Sequence, residues 1–107
     1  MSQYVAAQTT VEIISEDAAI RLADIFAALA DPSRLRILSA LAQRELSVGA
    51  LASLVAMTES ATSHQLRLLR AQRIVRARKV GRQVFYLLDD QHIRDLLERG
   101  IEHVRHE

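Results

Sequence analysis

The chain has 107 residues and a formal net charge of +1, and half of its residues are hydrophobic. This length suits one small domain with its own core, and no apolar run reaches the ~20 residues that a membrane-spanning helix needs. The absence of cysteine excludes disulfide bonds and thiolate metal sites. No basic and apolar leader is recognisable at the N-terminus, so a cytoplasmic location is expected.

The first half of the chain reads as an arm and two helices. Residues 1–15 are expected to form a partly ordered arm, and residues 16–107 a single domain. Ser15 can cap a first helix that runs to about residue 30. Asp31 caps a second helix, in which Pro32 takes the first position, where its missing N–H costs nothing. The residues of the second helix that are predicted to face the core are Leu35, Leu38 and Leu41.

Two short helices joined by about three residues follow a connector, ELS. Ser47 caps the first, VGALASLV, and Thr58 caps the second, ESATSHQLRLLRAQR, which is the arrangement of a helix-turn-helix. Two β-rich runs, IVRARKV and QVFYLL, then flank a Gly-Arg pair that is typical of a hairpin turn. The chain closes with another helix. This order predicts a mainly α fold with a β-hairpin wing, the winged helix-turn-helix.

The basic residues are concentrated over residues 60–88, which hold seven of the fourteen Lys and Arg residues and no acid. Helical spacing predicts that Thr62, Leu66 and Leu69 pack inward. The candidate contacts to base edges and phosphates are Ser60, Ser63, His64 and Arg67 on the outer face of this helix, with Lys79 and Arg82 at the hairpin tip. His64 is interpreted as a DNA or structural contact rather than a metal ligand. A solvated basic face is the alternative, but the hairpin and the charge block together favour DNA binding.

Four stretches occur in the order ALADPSRLRILSAL, ELSVGALA, ESATSHQLRLLR and VGRQVFYLLDDQH. Together they resemble the ArsR/SmtB family of bacterial winged-helix, metal-responsive repressors, over residues 22–106. The resemblance implies a homodimer with the first and last helices at the interface. It also implies a recognition helix that enters the major groove of a palindromic operator, and regulated genes for metal efflux or sequestration.

One departure from the family pattern concerns the metal. Many members bind metal through thiolates near the start of the third helix, in a stretch like ELCVGDL. This chain has ELSVGAL, with Ser47 and Gly49 where Cys would be needed. The thiolate site is therefore absent, and with it the simple case for arsenic, lead or cadmium sensing.

The last helix carries three of the four histidines, His92, His103 and His106. At ~100° per residue, His103 lies ~20° and His106 ~40° from His92, along one edge of an apolar stripe. His92 and His103 are about 16.5 Å apart along the axis, so one helix cannot bring both to one zinc ion. A second copy running antiparallel can gather His92 of one chain with His103 and His106 of the other, which gives two sites per dimer.

Asp90 is the predicted fourth ligand because the start of the helix lets its carboxylate approach the same ion, and Asp89 is its competitor. One carboxylate and three imidazoles suit tetrahedral Zn(II), and Co(II) can substitute for it, whereas octahedral Ni(II) needs further ligands such as Glu107 or water. The pattern D-x-H-x(10)-H-x-x-H also resembles the C-terminal helix site of the family's zinc, cobalt and nickel sensors. By the same resemblance, the carbonyl of Arg73 accepts a hydrogen bond from the second ring N–H of His103.

These patterns predict a homodimeric transcriptional repressor whose metal-free form binds operator DNA and is released by Zn(II), with Co(II) or Ni(II) as alternatives. An enzyme is rejected because four protein ligands leave no open position for water on the metal, and no phosphate loop or nucleophile–base pair is present. Two other functions stay open: a winged-helix regulator that ignores metal, and a protein-interaction dimer that uses the same apolar stripe.

Overall fold

The computed structural model describes residues 10–106, so residues 1–9 of the predicted arm, and Glu107, lie outside the described residues. The described range forms five helices and a three-stranded sheet. The helices are α1 (Glu16–Leu29), α2 (Pro32–Leu41), α3 (Val48–Val55), α4 (Glu59–Ala71) and α5 (Gln91–Arg105); the strands are β1 (Leu46–Ser47), β2 (Val75–Val80) and β3 (Gln83–Leu88). This order confirms the predicted winged helix-turn-helix. None of the described helices is long and apolar enough to cross a membrane.

The first four helices begin where the sequence predicts. In each, the side chain before the helix accepts a hydrogen bond from the backbone N–H three residues later, which satisfies a donor that has no partner within the helix. The capping residues are Ser15, Asp31, Ser47 and Thr58. These boundaries follow from local chemistry, and Pro32 occupies the first turn of α2 as predicted.

Residues with left-handed backbone end the two helices of the helix-turn-helix. Ala56, after α3, has φ 57° and Arg73, after α4, has φ 58°. After α4, the N–H of Ile74 donates to the carbonyl of Leu69 at 2.9 Å. This hydrogen bond satisfies a carbonyl at the helix end and offsets the cost of the left-handed residue. The chain therefore turns back at once, and the wing begins directly beside the C-terminal end of α4.

The wing is an antiparallel hairpin of β2 and β3, in which Val80 pairs with Gln83 across the turn. Gly81 has φ 62°, the left-handed conformation that this two-residue turn requires. The short connector ELS also contains a strand that the sequence did not predict, β1, which pairs with β3 and gives the strand order β1-β3-β2. A two-residue strand has no alternating pattern, so only its partner strand defines it.

The core lies between α2, α3, α4 and the sheet. Thr62, Leu66 and Leu69 are fully buried, which confirms the predicted inner face of α4. The prediction for α2 was wrong at one position: Leu35 is 42% exposed, whereas Ile37 is completely buried. Residues 37, 38 and 41 form the inner face of α2, and position 35 lies at its margin.

An open apolar groove of about 620 Å³ lies between α1, the start of α2 and α5. The buried residues of α1, Ala28 and Leu29, belong to its last turn, while Phe26 is 49% exposed. The groove is lined by Phe26, Leu29, Ala30, Leu35, Leu96, Leu97, Gly100, Ile101 and Val104. A contiguous apolar surface of this kind marks an interaction site rather than an ordinary solvated face.

The burial pattern of α4 predicts how two of its leucines respond to truncation. Leu66→Ala should lower the free energy of unfolding by about 2–5 kcal/mol, because it leaves a cavity in the core. Leu68→Ala is the matched control: Leu68 is 40% exposed, and its loss should cost less than about 1 kcal/mol. Urea denaturation at one fixed protein concentration measures both, and equal losses would contradict this packing.

Candidate nucleic-acid interface and metal centre

The outer face of α4 carries the side chains that the sequence selected for DNA contact. Ser60, His64 and Arg67 are exposed and Ser63 is half-buried. On the opposite face, the hydroxyl of the buried Thr62 donates to the carbonyl of Thr58 at 2.8 Å, one turn earlier, so the buried hydroxyl has a hydrogen-bond partner. The helix packs against the core through Leu66 and Leu69. It presents hydroxyl, imidazole and guanidinium groups outward, the groups that contact base edges and phosphates.

The hairpin tip places two cations beyond the body of the domain. Lys79 and Arg82 are exposed on either side of Gly81. Arg78 behaves differently, because both its Nε, at 3.0 Å, and its Nη2, at 2.7 Å, donate to one carboxylate oxygen of Glu45. This pair connects the middle of β2 to the segment before β1, a long-range contact that the sequence pattern did not reveal. Because the Arg78 side chain is 56% exposed and that of Glu45 37%, the pair contributes little to stability.

Asp90 caps α5. Its backbone is extended, with φ −153° and ψ 177°, and its Oδ1 accepts a hydrogen bond from the N–H of Ile93 at 3.0 Å. The same oxygen lies 3.7 Å from Nδ1 of His92. A carboxylate and an imidazole thus lie side by side at the start of α5, and both are groups that bind divalent zinc.

The hydrogen bond from Ile93 is the main cause of a lowered pKa at Asp90; desolvation opposes it, and the nearby His92 lowers this pKa further. Donors to the charged form stabilise it. The Asp90 carboxyl is therefore ionised at neutral pH, as both helix capping and metal binding require.

His103 and His106 lie at the other end of α5 and are exposed. Since α5 is continuous over Gln91–Arg105, His92 and His103 remain about 16.5 Å apart along the axis. Within residues 10–106 of one chain, no three His, Cys, Asp or Glu side chains are grouped closely enough to hold a metal ion. The single chain therefore presents two separate pairs of candidate ligands, one at each end of α5.

The carbonyl of Arg73 lies in the turn that follows α4, at a residue with left-handed backbone. The hydrogen bonds of this turn run from the N–H of Arg73 to the carbonyl of Arg70, at 3.0 Å, and from the N–H of Ile74 to the carbonyl of Leu69. The expected hydrogen bond from His103 to the Arg73 carbonyl stays a prediction.

Comparison with known proteins places this geometry among transcriptional regulators. Residues 31–77 match the family described as bacterial regulatory protein, arsR family. The transcriptional repressor SmtB homolog of a Synechocystis strain is 50% identical over 98 residues, which cover 92% of this chain and 74% of that protein. The cadmium resistance transcriptional regulatory protein CadC homolog of Staphylococcus aureus is 38% identical over 85 residues, covering 78% of this chain and 70% of that protein.

Among solved structures, this chain is similar to the domain Mb0332 from Mycobacterium bovis over most of the length of that domain. Mb0332 is described as a homodimeric winged helix-turn-helix DNA-binding domain and a possible ArsR-family transcriptional regulator. It aligns with a TM-score of 0.75 and 29% identity, and the match covers 92% of this chain and 96% of that chain. The similarity therefore extends well beyond the helix-turn-helix.

The lowered pKa of Asp90 predicts how the first turn of α5 responds to acid. Because the folded state binds the proton more weakly than the unfolded chain, the cap stabilises the turn at neutral pH. This contribution is lost as the pH falls below the ordinary carboxyl value of 3.8.

In an NMR titration from about pH 6 to about pH 2, the Ile93 amide shift should therefore change with a midpoint below 3.8. Asp90→Asn keeps an acceptor for the cap but has no carboxyl to titrate, so it should abolish the change. A midpoint at or above 3.8 would contradict the geometry.

Proposed function

Since this chain belongs to the arsR family of bacterial regulatory proteins, we propose that it is a homodimeric repressor released from its operator by Zn(II). The family consists of DNA-binding transcriptional regulators and not of enzymes. The metal-free dimer binds a palindromic operator, and the metal binds between the subunits. The observation that carries the proposal is the juxtaposition of Asp90 and His92 at one end of α5, with His103 and His106 at the other.

The DNA-binding half of the proposal rests on α4 and the wing. The residues proposed to contact DNA are Ser60, Ser63, His64, Arg67, Lys79 and Arg82. Ser60, Ser63 and His64 occupy the N-terminal half of the recognition helix, where helix-turn-helix proteins reach base edges, and Arg67 follows on the same outer face. The two cations at the hairpin tip suit phosphates or a minor groove, and their attraction depends on salt. Such a repressor acts on the chromosome, so its proposed location is the bacterial cytoplasm.

The dimer half of the proposal rests on the apolar groove. Its exposed lining includes Phe26 on α1 and Leu96 and Val104 on α5, and a structurally similar domain is described as homodimeric. Two α5 helices that pack antiparallel, with the two-fold axis near Leu97 and Glu98, bury this surface. In the same arrangement, each Asp90–His92 pair comes to lie beside the His103–His106 pair of the other subunit.

The donor set fits zinc. Asp90 offers Oδ2 while its Oδ1 caps the helix, and three imidazoles complete four ligands of the kind that tetrahedral Zn(II) prefers. Co(II) accepts the same set. The chain has no cysteine, so it lacks the thiolate ligands that soft metals favour. We therefore do not propose that this protein senses cadmium, the metal in the name of one relative. Ni(II) needs more ligands, and Glu107 lies outside the described residues.

When bound, the metal ion joins the terminal helices of both subunits through bonds from each. The chain can transmit the resulting constraint, because the guanidinium of Arg94, two residues after His92, donates to the carbonyl of Ala42 at the end of α2. Because α2 packs in the core with α4, a shift of α5 changes the position of the recognition helix. A coupling free energy of about 1–3 kcal/mol is typical between two such sites.

An operator titration with and without zinc tests the proposal directly. Fluorescence anisotropy at about pH 7.5, where imidazoles are neutral, should show that saturating zinc weakens operator binding by about tenfold or more. His103→Ala should bind the operator equally in both conditions. Glu102→Gln, which alters a neighbouring carboxylate outside the ligand set, should keep the full response. Unchanged affinity of the unsubstituted protein in zinc would instead identify a regulator that ignores this metal.

A further inference from the structure

We propose that Arg34 is a positioning residue that sets the distance between the two recognition helices of the dimer, and hence the half-site spacing that the protein accepts. Its guanidinium joins three helices: α1, which borders the apolar groove; α2, on which it lies; and α4. The inference rests on the proposed dimer and operator, and it adds a determinant of spacing to them.

The Arg34 side chain connects α2 both to α4 and to α1. Nε of Arg34 donates to Oε1 of Gln65 on α4 at 2.8 Å, and its Nη1 donates to the carbonyl of Ala28 on α1 at 3.2 Å. Both contacts are partly buried. A guanidinium has five N–H donors in a fixed plane and no acceptor, so it binds two oxygens at once and fixes their relative positions.

The local sequence explains why α1 needs this donor. The carbonyl of Ala28 would accept a hydrogen bond from the N–H of residue 32 if the helix continued, but Pro32 has none. The carbonyls on either side of it accept backbone N–H groups of the corner between α1 and α2. The last turn of α1 contains no basic residue, so Arg34 also supplies the positive charge that a helix C-terminus favours. Its own backbone N–H donates to the capping carboxylate of Asp31 at 3.0 Å.

Gln65 lies at the border between the two faces of α4. Its neighbours in sequence are His64 on the outer face and Leu66 in the core, and Arg67 follows two residues later. The hydrogen bond from Arg34 therefore acts at the middle of the recognition helix, directly beside the residues proposed to contact DNA. The two partners are 31 positions apart in the sequence, so this hydrogen bond is a long-range tertiary contact.

The position of α1 explains why the Arg34 hydrogen bonds affect half-site spacing. Its buried residues are in its last turn, so its direction relative to the domain depends on the corner that Arg34 holds. Its 14 residues extend about 21 Å, and a rotation of about 10° at one end moves the other by about 3.7 Å, close to the ~3.4 Å rise of one base pair. In a dimer formed through α1 and α5, loosening the connection that Arg34 makes from this corner to α4 therefore lets the recognition helices reach half-sites about one base pair closer together or farther apart.

The experiment uses DNA selected from random duplexes by the unsubstituted, metal-free protein, and two derivatives with one base pair added or removed at the centre. The unsubstituted protein should lose about tenfold or more in affinity for either derivative, because half-site spacing must match the dimer. Gln65→Ala removes the hydrogen bond to α4 but leaves Arg34 bound to Ala28. For this variant, the loss of affinity for either derivative relative to the selected DNA should shrink to about threefold or less. Gln65→Glu keeps an oxygen for Arg34. Its negative charge near DNA should lower the affinity for all three duplexes. The affinity for either derivative should nevertheless again be about tenfold lower than for the selected DNA.

Arg36→Ala is the matched control. Arg36 lies on the same helix, and its guanidinium donates to the carbonyl of Val55 at 3.1 Å, which joins α2 to α3 rather than to α1. Its removal should reduce stability but leave the spacing loss intact. The inference is overturned if Gln65→Ala keeps the full loss, or if Arg36→Ala reduces it equally. If the unsubstituted protein selects no DNA with two half-sites, the proposed function fails, and the inference fails with it.

Discussion

The rise of an α-helix, 1.5 Å per residue, is the constraint on which the rest of the molecule depends. Because α5 is unbroken from Gln91 to Arg105, it separates the two pairs of candidate metal ligands by a distance that no ion can span. The same helix borders an apolar groove that residues 10–106 of its own chain leave open. In the proposed function, the antiparallel packing of a second α5 both brings the separated ligand pairs together and covers the groove.

The second helix, α2, connects the regions that the proposed mechanism must link. At its start, Arg34 donates to oxygens of α1 and α4; at its end, the carbonyl of Ala42 accepts from Arg94 of α5. Between these contacts, Ile37 and Leu38 are completely buried in the core. Closely packed interiors transmit displacements rather than absorb them, so a shift at either end of α2 reaches the recognition helix.

Local chemistry made most of the fold predictable, because capping residues, a proline at a first helical turn and a Gly-Arg hairpin act over a few positions. The features that were missed depend on distant partners. Strand β1 exists only by pairing with β3, and Leu35 is exposed because the three-dimensional packing of α2 favours Ile37. In the candidate site, spacing alone separated the ligand pairs, but the hydrogen bond that holds Asp90 beside His92 became visible only in three dimensions.

Subunit complementation tests most directly whether the metal site lies between two chains. His92→Ala and His103→Ala each break both sites of a homodimer, but a mixed dimer keeps one intact site. After subunit exchange, verified by mass spectrometry of differently tagged chains, equilibrium dialysis should recover about one quarter of the zinc bound by the unsubstituted protein, since half of the dimers are mixed and each has one of two sites. Tight zinc binding by either variant alone, or no recovery in verified mixed dimers, would contradict the account.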